Sequence, residues 1–78
     1  MWVRSQNKKE LANYITFSVT SNFGGKKKSA IIGTISENSF WGSKTKTLGL
    51  YDTMDMALEE LTRLESALIN QEKVYQMS

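Results

Sequence analysis

Residues 53–71 read TMDMALEELTRLESALINQ. Met54, Ala57, Leu58, Leu61, Leu64 and Leu68 recur at spacings of three and four, which puts them on one stripe of an α-helix. Thr53 or Asp52 can cap the first turn, and Asp52 and Asp55 set negative charge at the positive end of the helix dipole. Glu59 and Arg63 stand four apart in the favourable order. The far end lacks a Gly or Pro stop, so Asn70 and Gln71 fade into polar chain. This helix is the natural lid of a core whose other wall must come from everything before it.

That remainder reads as strand and turn. Residues 2–6 alternate apolar and polar groups, a polar turn follows at 7–10, and residues 11–20 alternate again. In that second strand Leu11, Ile15, Phe17 and Val19 are assigned the inner face and Tyr14 the outer one. Asn22, Gly24 and Gly25 supply turn chemistry before a third strand at 29–36, where Gly33 permits a bulge or a close approach of the helix. A loop at 37–43 leads to a fourth strand at 45–50, with Leu48 and Leu50 inward, and residues 74–77 suggest a short closing strand. Short connections imply an antiparallel meander. The expected fold is therefore α+β: a single domain over 1–78, with a four- to five-stranded antiparallel sheet and one C-terminal helix packed on one face. The closing strand is expected to run antiparallel to strand one, in the order 5-1-2-3-4. Leu58, Leu61 and Leu64 should then bury against Ile15, Phe17, Ile31 and Leu48.

Several short motifs resemble a known group: Trp2-Val3-Arg4-Ser5-Gln6, Leu48-Gly49-x-Tyr51-x-Thr53, Ala57-Leu58-x-x-Leu61 and Val74-Tyr75-Gln76-Met77. Together they resemble small function-unknown proteins of low-GC Gram-positive bacteria and their phages and prophages. The resemblance implies no active site. Between Asn22 and Lys46 this chain is longer and more basic than the group leads one to expect, which directs attention to that region.

Composition narrows the chemistry. Seventy-eight residues bury only a thin core, and small domains often gain stability by oligomerising. There is no cysteine and no histidine, which removes disulfides, thiolate sites, the usual general base and the commonest metal ligand. The acidic pairs Asp52/Asp55 and Glu59/Glu60 are accounted for by capping or point in different directions, so neither a metal nor an acid–base site is expected. No cofactor and no enzyme activity are expected. Residues 1–20 lack a basic start followed by an apolar run, and no stretch reaches the roughly 20 apolar residues of a membrane span, so a cytoplasmic protein is the expectation.

Residues 1–50 carry eight Lys/Arg against two acids, and residues 51–78 two against six. The functional expectation is a non-enzymatic protein that binds a protein partner. Its candidate contacts are Phe40 and Trp41 in the 37–43 loop, with Lys26, Lys27, Lys28, Lys44 and Lys46 around them. The alternative is a small nucleic-acid-binding protein using the same lysines, with Lys8, Lys9 and Phe23. A homodimer is the third expectation, through Tyr14, Ile32 and Tyr51 on the outer face of the sheet.

Overall fold

Six strands and one helix follow in the order β1 (Trp2–Arg4), β2 (Leu11–Asn13), β3 (Thr16–Ser21), β4 (Ser29–Ile35), β5 (Lys44–Tyr51), α1 (Met54–Ile69) and β6 (Val74–Gln76). They are taken from a computed structural model, which describes residues 1–21, 25–35 and 44–78. The class is α+β, but the strands form two three-stranded sheets, β2-β1-β6 and β3-β4-β5, rather than one. The strand neighbours are those expected, while the second strand is cut in two.

The cut falls at Tyr14-Ile15. The Tyr14 N–H donates to the Met1 carbonyl at 2.9 Å, while the Ile15 N–H donates to the Thr34 carbonyl at 2.8 Å. Consecutive amides thus serve different sheets, and the alternation of faces slips by one. Tyr14 turns inward and is 1% exposed; Ile15 turns outward and is 61% exposed, and Leu11 is also exposed. The Tyr14 ring lies on Gly33, where a Cβ would stand 2.5 Å from a ring carbon. Gly33 therefore admits this ring, not the helix.

A second phase slip occurs in β5. Ile31 pairs with Gly49 and Ile32 with Thr47, leaving Leu48 as the extra residue of a bulge. Leu48 is buried and Leu50 exposed, so the two do not share the inner face. The core gathers Val3, Tyr14, Ile31, Leu48, Tyr51, Ala57, Leu64 and Met77. Tyr51 is thus a core residue, as Tyr14 is, and neither lies on an outer dimer face; Ile32 is half-buried.

The closing strand exists, but it pairs parallel with β1, Val3 opposite Tyr75. An antiparallel match follows only if all strands share one axis, and the break after Tyr14 removes that condition. Gln6 joins the two sheets. Its N–H donates to the Leu48 carbonyl, and its side-chain amide meets both the N–H and the carbonyl of Leu50, at 2.9 and 3.1 Å.

The helix is shorter and rotated relative to expectation. Thr53 caps it, its hydroxyl accepting from the Met56 N–H at 3.1 Å. At the other end the Glu72 N–H reaches the Ala67 carbonyl and the Gln71 N–H the Leu68 carbonyl, with Gln71 at φ 57°. This is a Schellman stop built without glycine. The buried face is Ala57, Glu60, Leu64 and Ala67, with Leu61 at its margin. Small alanines let the helix lie close over β3, β4 and β5. Met54, Leu58 and Leu68, expected in the core, are 42%, 46% and 60% exposed.

Candidate functional site

Rotation of α1 leaves a row of leucines beside the sheet rather than on it. Leu58, Leu61 and Leu68 follow one another at spacings of three and seven, with Glu65 between the last two, so they share a helix face. That face overlooks the start of β3. Between them lies a cleft of about 440 Å³, walled by Leu61, Leu64, Glu65 and Leu68 on one side and residues 14–17 on the other, with Met1 at its end. Ile15 and Leu68, both mostly exposed, form its apolar lips. The Tyr14 and Phe17 rings meet at 5.9 Å and 53°, a tilted contact that stiffens the strand wall.

The cleft reaches the start of an unpaired strand edge, at Thr16 and Phe17. β3 pairs with β4 on one side, and no described strand pairs with its other side. Edge strands are ordinarily guarded by charge, by shortness or by a cover. Three of the four edges here follow that rule. β2 is three residues long and follows Lys8, Lys9 and Glu10; β6 is three residues long and follows Glu72 and Lys73. β5 carries Lys44 and Lys46 and is bonded by Gln6. β3 is six residues long, TFSVTS, and residues 11–21 hold no charge and no proline.

The expected lysines do not converge. Lys26 to Lys28 directly precede Ser29, which pairs with Tyr51, whereas Lys46 pairs with Gly33, about 13 Å further along the ladder. Lys27 meets Asp52 at 2.8 Å and Lys46 meets Glu10 at 3.2 Å, both pairs exposed and each contributing at most about 1 kcal/mol. Lys44 opens β5, paired with Ile35. Phe23, Phe40 and Trp41 lie outside the described residues.

A second polar cluster holds the last residues against the helix. Glu60, fully buried, accepts from Arg63 Nε at 2.6 Å, from the Tyr75 hydroxyl at 3.0 Å and from the Ser78 N–H. The Tyr51 hydroxyl donates to the Ser78 carbonyl. Burial, then the bond to Glu60, holds the Tyr75 hydroxyl above its usual pKa; burial, then the Glu60 charge, does the same for Tyr51. The hydrogen bond to Glu60 raises Arg63. Both carboxylate oxygens of Glu60 are thus engaged, so the cluster fastens structure. Among the described residues no three acidic side chains gather to hold a metal ion. Among the described residues one buried side-chain polar atom is left over. The Tyr14 hydroxyl finds no partner among the described residues, and burial raises its pKa.

Sequence reasoning missed Ile15, Leu68 and Glu60. The available signal was excess: eight apolar residues from Met54 to Leu68 are more than a thin core can cover. Comparison with models of known families, with curated proteins and with solved structures returned no match.

Proposed function

We propose that this chain is a non-enzymatic protein-interaction module that captures an extended segment of a protein partner along β3. Strand addition supplies main-chain hydrogen bonds, and side chains on alternate positions supply specificity through adjacent pockets. The observation that carries the reading is a single coincidence: the one unguarded strand edge among the described residues borders the apolar cleft lipped by Ile15 and Leu68. A segment laid beside the start of β3 brings a side chain to the Leu61–Leu68 wall, where burial of an aliphatic group contributes roughly 1.5–3 kcal/mol.

The test is affinity selection of displayed random peptides against the immobilised full chain. Selected sequences are expected to alternate apolar and polar residues, and their binding should weaken at least tenfold against Ile15→Asp and against Leu68→Asp. Selected peptides that bind both variants as tightly as the parent would remove the cleft from consideration.

A further inference from the structure

We infer that the segment laid on β3 is the β3 of a second copy of this chain, paired antiparallel about a twofold axis. The inference rests on the strand-addition reading above and names its occupant. In such a pair, residues near the axis face their own counterparts, so any charge there faces an identical charge. TFSVTS has none to repel, and its Thr, Phe and Val residues favour a pleated ladder. The other three edges are short, charged or already bonded, so self-pairing is steered to this edge alone among the described strands.

Charge complementarity supports the same arrangement. Antiparallel pairing brings the start of one β3 to the end of the other. At its start lies the cleft with Glu65; beyond its end come the exposed Lys26 and Lys28. Each copy thus offers the Glu65 carboxylate where the other offers Lys26 and Lys28, and symmetry makes the match twice. The twofold axis stands perpendicular to the joined sheet, so both helices lie on one face of it. Their exposed Leu68 then flanks the junction, together with Ile15. Apolar groups that the single copy leaves in water are covered in the pair.

Sedimentation equilibrium of the full chain over a range of concentrations, with single-cysteine variants, decides the matter. The parent should move from a mass of 8.9 kDa to twice that as concentration rises into the micromolar range. Ser18→Lys and Leu68→Glu should each raise the dimer dissociation constant at least tenfold while the helical circular-dichroism signal stays unchanged. The chain has no cysteine, so one introduced at a time along β3 can only form a disulfide with its counterpart. Cross-linking should peak at one β3 position, where the two Cα atoms come within about 4.4–6.8 Å, and fall toward both ends. Asp55→Cys, on the exposed first turn of α1, should not cross-link. A parent that stays monomeric overturns self-pairing, and if selected peptides still bind at Ile15 and Leu68 the cleft survives as a site for another protein. A dimer indifferent to both substitutions, with no peak along β3, overturns self-pairing; if peptide binding ignores Ile15 and Leu68 as well, the strand-addition reading falls with it.

Discussion

Gly33 shows how one missing atom positions the site. Because Tyr14 rests where a Cβ would be, the chain turns at Tyr14-Ile15, and Ile15 is presented at the mouth of the cleft. Gly33→Ala would press its methyl to within 2.5 Å of the Tyr14 ring and 3.0 Å of a Leu48 methyl. It is expected to cost about 1–3 kcal/mol, read as a lowered urea midpoint. The tyrosines give a second expectation at this scale. All three are raised above their ordinary value of 10.0, chiefly by burial. A raised phenol contributes stability that is complete below about pH 10 and is lost as pH climbs through the folded-state value. Stability should therefore be insensitive to these groups at neutral pH and fall above about pH 10. Tyrosinate absorbance should rise together with loss of circular dichroism, and tyrosinate that forms in a still-folded chain would contradict this.

For the elements, phase was harder to read than existence. Every strand and the helix lie near their expected places, because alternation and three-to-four spacing record local geometry. Which face is inward depends on single-residue slips, and those arise from contacts between distant residues: Tyr14 on Gly33, and Leu48 bulged against Ile31 and Ile32. The helix was misread for a related reason. Leucine outranks alanine in hydrophobicity, so Leu58 and Leu68 outweighed Ala67 in choosing the stripe, but close packing over the sheet favours the smaller residue. Two substitutions separate the readings, measured where the chain is dilute enough to be monomeric. Leu64→Ala, fully buried, should cost about 2–5 kcal/mol, whereas Leu68→Ala should stay within about 0.5 kcal/mol of the parent. At the Schellman stop, Gln71→Gly relieves a left-handed backbone and should stabilise the protein by about 0.5–1 kcal/mol, visible as a raised Tm.

At the scale of the whole molecule, residues 74–78 close the described fold. β6 lies beside β1, and Glu60 binds Tyr75 and the Ser78 amide from the helix above. A glutamate on the inner face of an amphipathic helix has no periodic signature, and apart from Arg63 its partners stand fifteen and eighteen residues away. That is why its burial is not legible in the sequence. Glu60→Ala should cost about 2–4 kcal/mol and quicken amide exchange in β6 before it does so in β4. Equal quickening in both strands would mean that the latch and the core open as one unit. The parallel pairing of β1 with β6 also bears on biosynthesis. Of the described strands, β1 is made before the others and its parallel partner after them, so the growing polypeptide carries Trp2–Arg4 with one side open until the helix has been translated and folded back. The uncharged β3, made early and open along one edge, passes through the same interval. A bound chaperone or slowed elongation would therefore act most strongly before residue 74 is added, and crowded polysomes would be where neighbouring nascent chains first meet.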